Sequence, residues 1–334
     1  SMNMLIFTSG TTDLAKGAML SHKNICSNMM AICSTLYIDS NDSALSILPL
    51  HHTYECTAGF LVMVYNGCTI AFNEGLKHIV KNLKEIKPTL LILVPLIIEN
   101  MYKKIWEQAG KKPGMKILLK MLLVISDFIF DILRIDIRRK LFKQIHENIG
   151  GRVRLIISGA AAIDPRVIKG FRSMGITVIQ GYGLTECSPI VAVNREKVKR
   201  DDSIGQPLPG VEVRVYNPNH EGIGELLVKG DNVMLGYFEN SLATEKVLKD
   251  GWLYTGDLGK ADSMDIFKIT GRKKNVIVTK NGKNIYPEEV EAYLNKSPLI
   301  MESLVWGKYD PKTDDTYVNA QIVPDFESIK ERLK

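Results

Sequence analysis

Apolar residues fall in two spacings along this chain, and their order gives its architecture. Residues 4–7, 68–72 and 90–94 are short unbroken apolar runs and read as buried strands. The runs at 43–50, closing on Pro49, 153–158 and 177–180 read as further strands. Between them lie segments with helical spacing. A helix starts at Ser21-His22-Lys23-Asn24 and runs to about Leu36; an apolar helix covers 57–65, and a charged one covers 78–86. Strands alternating with helices predict an α/β fold, a parallel sheet with flanking helices. Ligands in such sheets gather at the carboxyl ends of the strands, where the polar cluster His51-His52-Thr53-Tyr54-Glu55 falls.

From 97 to 148 the pattern is helical, broken once at Lys111-Lys112-Pro113-Gly114. The helix after Gly114 is amphipathic and basic towards its end, with Arg134, Arg138, Arg139, Lys140 and Lys143. Its stripe of Leu118, Leu122, Ile125, Ile129 and Leu133 is expected to pack on the domain; the alternative is contact with an anionic membrane surface. Beyond Ser203 short alternating strands at 211–216 and 224–229, with Gly and Pro turns, predict a small β-barrel lobe. After a linker near Gly271 comes a smaller α+β unit: a strand at 275–279, a helix at 287–295, and strands at 302–306 and 317–323. The expected domains are therefore 1–203 with a helical insert at 97–150, then 204–270, then 271–334.

Composition narrows the chemistry. In 334 residues, 45% hydrophobic and 24% charged content is that of a globular protein. The net charge of +6 is mild and the lysines are scattered, so no nucleic-acid partner is expected. Five cysteines without a CxxC pair or metal-ligand spacing point to free thiols in a reducing compartment, hence a cytoplasmic protein. The one membrane contact expected is peripheral, at the inner surface.

One stretch near the start carries a stronger hint. Thr8-Ser9-Gly10-Thr11-Thr12-Asp13-Leu14-Ala15-Lys16-Gly17 follows an apolar strand and is dense in hydroxyls, with glycines and one cation. Such a loop turns N–H and hydroxyl groups towards phosphate oxygens, and Lys16 adds a point charge. It lacks the Gly-Lys-Ser/Thr of a Walker loop. Small residues at Gly159-Ala160-Ala161, after a strand, let a flat ligand approach the backbone.

Three more motifs follow this loop in order: Gly181-Tyr182-Gly183-Leu184-Thr185-Glu186, Tyr254-Thr255-Gly256-Asp257, and Gly271-Arg272-Lys273-Lys274-Asn275 with Asn281-Gly282. Together the four resemble the adenylate-forming superfamily of acyl-CoA synthetases, luciferases and adenylation domains, over essentially the whole chain. The helical insert and Leu48-Pro49-Leu50-His51-His52-Thr53-Tyr54-Glu55 are most similar to its long-chain fatty acyl-CoA synthetase branch.

The resemblance implies ATP-dependent activation of a fatty acid to an acyl-adenylate, then transfer to coenzyme A. ATP, Mg2+, coenzyme A and a fatty acid are the implied ligands. Thr8, Ser9, Gly10, Thr11, Thr12 and Lys16 would hold the β- and γ-phosphates. Glu186 would hold Mg2+, with Thr185 beside it on phosphate. Gly159, Ala160, Ala161, Gly181, Tyr182 and Gly183 would form the adenine pocket, with Tyr182 stacking. Asp257 would accept from the ribose hydroxyls and Arg272 would reach the ribose or phosphate. His52 would lie near the acyl carboxylate. Lys274 would be the pivot of a mobile C-terminal domain, with Asn281 and Gly282 lining the pantetheine tunnel. Acyl–carrier-protein ligation and a non-catalytic nucleotide-binding relative stay open as alternatives.

The departures from the family pattern are specific. The phosphate loop sits far earlier than in the family, and its late lysine motif does not occur before Lys334. Asp13 and Ala15 stand where Gly and Pro are usual, and a carboxylate near triphosphate is unfavourable unless it turns away or faces Mg2+. The expectation is a stretch of a longer ligase, defective in adenylation by itself.

Overall fold

Strands that are apolar on every residue need cover on both faces, and the longest sheet shows how that cover is supplied. The computed structural model describes residues 1–8, 15–195, 200–280, 283–297, 299–311, 313 and 315–332. Contacts divide the chain into two units, Ser1–Glu212 with Val228–Leu253, and Val213–Leu227 with Tyr254–Lys334.

In the first unit, β1 (Met2–Thr8) and β2 (Lys16–Ser21) form an antiparallel hairpin, followed by α1 (His22–Thr35). Then come β3 (Ser43–Ser46), β4 (Thr69–Phe72), α2 (Ile79–Ile86), β5 (Leu90–Leu93), α3 (Pro95–Gly110) and α4 (Met115–Phe128). The last elements needed here are β6 (Leu155–Ser158), α5 (Pro165–Ser173), β7 (Thr177–Gly183), β8 (Ile190–Val193), β9 (Gln206–Pro207) and β10 (Gly236–Tyr237).

The main sheet is ordered β4-β3-β5-β6-β7-β8-β9, parallel from β4 to β7 and antiparallel beyond. Leu90 and Ile92 face a core with Leu155, Ile157 and Ile179, covered by Ala31 and Ile32 of α1. Leu91 and Leu93 face the opposite core with Ile156 and Val178, covered by Ile98 of α3 and by Val167, Ile168 and Phe171 of α5. This is the α/β sheet the sequence predicts. The start of α1 is also as predicted: Ser21 Oγ accepts from Asn24 N (3.2 Å) and Asn24 Oδ1 accepts from Ser21 N (2.7 Å), a reciprocal cap.

Residues 4–7 are not buried as expected. β1 is the outer strand of a three-stranded sheet β1-β2-β10, so one side stays uncovered and Phe7 is 65% exposed. β3 ends at Ser46, short of the expected 50, because the chain turns at Pro49. The helix expected at 57–65 starts earlier, as a π-helix Tyr54–Leu61 continued by α-helix Val62–Tyr65. β7 runs on through Gly183, because Gly181 to Gly183 pair with β8 instead of turning away.

The expected packing of the insert is also corrected. The inner face of α4 is Met115, Leu119, Leu122 and Leu123, packed with Ala109, Phe142 and Met174, and Ser126 Oγ donates to Ser173 O (2.8 Å). Leu118, Ile125 and Leu133 lie outside that contact and are exposed. A π-helical turn, Ile129–Leu133, follows, and Arg134 ends it at φ 57°. Among the described residues no helix is long and apolar enough to cross a membrane.

A further antiparallel sheet runs Val211–Tyr216, Gly224–Gly230 and Trp252–Ala261 in that order, with Phe267–Arg272 also paired to Trp252–Ala261. Alternation in Val211–Tyr216 appears as alternating half-buried and exposed side chains; the small β-barrel lobe read from sequence is a half-barrel sheet. The strand expected at 275–279 shrinks to Ile277–Val278, paired with Asn284–Ile285. The last two strands are longer than expected, forming the hairpin Ile300–Asp310 and Asp315–Pro324. Helix Pro287–Leu294 packs on it, with Glu291 Oε1 accepting from Val305 N (2.7 Å).

The π-helix houses an unusual carboxyl. Glu55 is 1% exposed, and Ser46 Oγ donates to its Oε1 (2.6 Å). A Cβ on Gly59 would come within 2.6 Å of the Glu55 Cδ, so a glycine is needed to make room. Glu55 Oε2 is buried without a hydrogen-bond partner among the described residues. Burial pushes this carboxyl up to about 7 from its ordinary 4.5, against the opposing pull of the Ser46 hydrogen bond. A raised folded value means stability is fullest below pH 4.5 and is lost as pH rises towards 7. We expect Glu55→Gln to abolish that loss. Urea denaturation at pH 5 and pH 8 should show the variant gaining up to about 3 kcal/mol on the parent at the higher pH. Equal differences at the two pH values would disprove it.

Candidate active site

Three strands of the first unit lead into candidate site residues at their carboxyl ends, two of the groups polar and one of small residues. β3 leads to His51, His52 and Thr53; β6 leads to Gly159, Ala160 and Ala161; β7 carries Tyr182 and leads to Thr185 and Glu186. Thr53 Oγ1 lies 3.4 Å from Thr185 Oγ1, which joins the first cluster to the third.

Backbone contacts fix Glu186. After Gly183 the chain makes a 3-10 turn, Thr185–Cys187, and returns along β8. Leu184 N donates to Pro189 O (2.9 Å), Cys187 N to Leu184 O (2.8 Å) and Ser188 N to Thr185 O (3.2 Å). Asn28 on α1, wholly buried, reads both groups of Ile190: Nδ2 donates to its O (2.6 Å) and Oδ1 accepts from its N (3.2 Å). Asn232 Nδ2 donates to Cys187 O (3.0 Å), and Ser188 Oγ donates to Asn232 O (2.9 Å).

The Glu186 side chain meets a residue the motifs do not reveal. Tyr237 Oη donates to Glu186 Oε1 (2.8 Å), and burial first, then the Glu186 charge, raises the phenol's pKa. The Lys16 Nζ lies 5.6 Å from the centroid of the same ring. β10 pairs with β2, with Tyr237 opposite Ala18, and Phe238 N donates to Gly17 O (2.8 Å). Thr8 stands opposite Lys16 where the hairpin opens, and its Oγ1 donates to Lys16 O (3.3 Å). Lys16, Tyr237 and Glu186 therefore form one cluster at the mouth of the β1-β2 hairpin. Ser9, Gly10, Thr11, Thr12 and Asp13 lie outside the described residues.

The small-residue cluster is split. Gly159 is buried, and a Cβ there would stand 2.7 Å from the Tyr54 Cζ, so its glycine makes room for Tyr54, whose Oη donates to Ile157 O (3.1 Å). Ala160 and Ala161 are exposed, with Ala160 held at φ 73°. A non-glycine residue in that region is strained, and such strain gathers at functional sites. His52 is exposed, and its Nδ1 accepts from Tyr54 N (3.2 Å), which places the proton of the neutral ring on Nε2. Burial, and then the His51 charge, lowers its pKa.

The second unit carries the other predicted residues. Asp257 and Arg272 are opposed across Trp252–Ala261 and Phe267–Arg272, with Arg272 Nε 3.1 Å from Asp257 Oδ1. The Asp257 carboxylate is almost buried while Arg272 is half exposed. Thr255 Oγ1 accepts from Asp257 N (3.0 Å) and donates to Leu226 O (2.7 Å), fixing the Thr-Gly-Asp turn. Lys274 lies exposed in a 3-10 turn, Lys273–Asn275, tied down by Lys273 to Glu225 (2.8 Å) and by Asn275 to Glu288 (2.7 Å). Asn281 and Gly282 lie outside the described residues.

For a metal, the described residues show no group of three or more His, Cys, Asp or Glu side chains. A single carboxylate beside a hydroxyl is a donor set that fits Mg2+ held mostly by phosphate oxygens and water.

Comparison with known proteins supports the family that the sequence resembles. Residues 1–238 match the family described as AMP-binding enzyme. The long-chain-fatty-acid–CoA ligase 5 of Rattus norvegicus is 33% identical over 348 residues, which cover 98% of this chain and 50% of the relative. The long-chain-fatty-acid–CoA ligase FadD15 of Mycobacterium bovis is 31% identical, covering 98% of this chain and 56% of the relative. The chain thus spans about half the length of these curated relatives. Among solved structures, ATP-bound MatB from Rhodopseudomonas palustris superposes with a TM-score of 0.74 at 26% identity, covering 96% of this chain and 58% of that one.

The two motif glycines of β7 should respond differently to substitution. A Cβ on Gly183 would collide with the Pro189 carbonyl, whereas one on Gly181 meets Ala192 O at an ordinary 3.5 Å. Gly183→Ala is expected to cost about 2 kcal/mol or more in urea unfolding and Gly181→Ala under about 1 kcal/mol. Similar costs for both would contradict this geometry.

Proposed function

The chain belongs to the AMP-binding enzyme family, and on that premise we propose that the protein is a long-chain fatty acid–CoA ligase. In the first step a fatty-acid carboxylate oxygen bonds to the α-phosphorus of ATP and the bond to pyrophosphate breaks. In the second, the sulfur of coenzyme A bonds to the acyl carbonyl carbon, its thiol proton is lost, and AMP leaves. Both steps gather charge on phosphate oxygens, so positioning and neutralisation matter more than covalent help.

The observation that carries the reading is the Lys16–Tyr237–Glu186 cluster at the hairpin mouth. Lys16 brings a cation to the β- and γ-phosphates, alongside Thr8 and the loop hydroxyls of Ser9, Thr11 and Thr12. Glu186, with one oxygen oriented by the Tyr237 phenol, holds Mg2+, which neutralises phosphate charge when bound. Thr185 binds a phosphate oxygen and is held near Thr53. Tyr182, half-buried on β7, stacks on adenine, with Gly159, Ala160, Ala161, Gly181 and Gly183 completing that pocket. Asp257 accepts from the ribose hydroxyls, with Arg272, paired to it at 3.1 Å, reaching the ribose or phosphate. His52 presents its Nε2–H to the acyl carboxylate. Lys274, Asn281 and Gly282 serve the thioester-forming state.

The test is ATP-dependent thioester formation by the whole protein across a fatty-acid chain-length series. Tyr237→Phe, which keeps the ring under Lys16 but frees Glu186, should lower kcat/KM for ATP about tenfold, and Glu186→Gln on the order of a hundredfold. KM for coenzyme A should stay unchanged in Tyr237→Phe. Absence of thioester with every fatty acid, or a Tyr237→Phe variant as active as the parent, would sink the proposal.

A further inference from the structure

An apolar helix face is normally covered, yet α4 has apolar residues on two sides and is packed on one only. Its inner residues, Leu119, Leu122, Leu123 and Ser126, are accounted for by packing. The opposite side shows Ile117 (67% exposed), Met121 (55%), Val124 (70%) and Phe128 (61%), at the 4-3-4 spacing of a single helical stripe. The stripe continues past the helix in Ile132 and Ile135, both exposed. Met121 and Val124, with Ile125 and the stem of Lys120, line an open shallow groove.

The charge around this face decides what could cover it. Residues 111–143 hold nine Lys and Arg against three Asp, so this segment carries an excess equal to the whole chain's +6. Two of the nine have internal work, and a third, Lys143, pairs with Glu147 just beyond the segment (3.7 Å). The Arg138 guanidinium lies 3.6 Å from the Phe130 ring centroid and pairs with Asp136 (2.7 Å), and Arg139 Nη2 donates to Val153 O (2.6 Å). Asp127 accepts from Ser173 Oγ (2.8 Å), towards the protein. Lys111, Lys112, Lys116, Lys120, Arg134 and Lys140 remain exposed around the stripe.

We infer that the outer face of α4 and the turn after it dock in the plane of an anionic lipid bilayer. The apolar stripe enters the acyl boundary while the lysines, on long stems, keep their charges at the phosphate level. Each basic group near such a surface adds attraction that salt screens. A second copy of this chain is a poorer occupant, because two faces of the same positive sign would oppose each other. A helix of 14 residues is too short to span and suits lying flat. This inference does not depend on which acyl substrate the site takes.

Co-sedimentation with vesicles separates the outcomes. The protein should bind phosphatidylcholine vesicles containing about 30% phosphatidylserine, and bind pure phosphatidylcholine at least about tenfold more weakly. Raising the salt to about 0.5 M should release most of it. The triple variant Met121→Glu, Val124→Glu, Phe128→Glu changes only exposed side chains, so its melting curve should match the parent while vesicle binding falls at least about tenfold. Lys116→Gln with Lys120→Gln and Arg134→Gln should weaken anionic-vesicle binding severalfold and flatten its salt dependence. No binding to anionic vesicles, unchanged binding by the glutamate variant, or a stripe-dependent dimer in sedimentation velocity that does not bind vesicles would overturn the inference.

Discussion

Gly183 passes so close to the Pro189 carbonyl that no side chain fits between them, and the placement of Glu186 rests on that contact. The five residues enclosed by it cannot wander: three backbone hydrogen bonds close the turn from within. Two buried asparagines, on elements distant in sequence, close it from outside by reading the backbone of Ile190 and Cys187. The backbone that carries the Glu186 side chain is held by these contacts alone, with no ligand needed. Its orientation cost is met during folding, which is the sense in which a site is preorganised.

The parallel sheet provides the frame for that turn. Because Leu90 to Leu93 and Leu155 to Ser158 are buried on both faces, the strands cannot slip without exposing one core or opening the other. Their carboxyl ends are thereby fixed relative to one another, and the two polar clusters and the small-residue cluster follow from those ends. Gly159 shows how tightly these ends are packed, since the space its side chain would fill is taken by the Tyr54 ring.

Much of this was legible in the sequence, for physical reasons that also mark where it failed. Doubly covered strands leave unbroken apolar runs, and Ser21 with Asn24 announces a helix start, so the sheet and α1 could be read directly. Thr185, Glu186, Asp257 and Arg272 were proposed from the order of four short motifs and the family these resemble; none was singled out by its local chemistry alone. Tyr237 was not proposed, because its role comes from pairing β10 with β2, more than 200 residues earlier in the chain. Asn28 and Thr53 were hidden for the same reason: each acts on a partner far away in sequence. The stripe on α4 was misread because periodicity says that a helix has an apolar face and cannot say which of two such faces is covered. Residues 4–7 were misread because an apolar run does not reveal whether its strand lies at the edge of a sheet.

The three-stranded sheet β1-β2-β10 has a mechanical consequence. Lys16 and Tyr237 lie on neighbouring strands joined by backbone hydrogen bonds, Phe238 to Gly17 and Leu235 to Met19, and Tyr237 in turn grips Glu186. Cation, ring and carboxylate are thus linked in series through a ladder that resists stretching. The backbone position of Lys16 is therefore tied, through β10, to the residue that hydrogen-bonds Glu186.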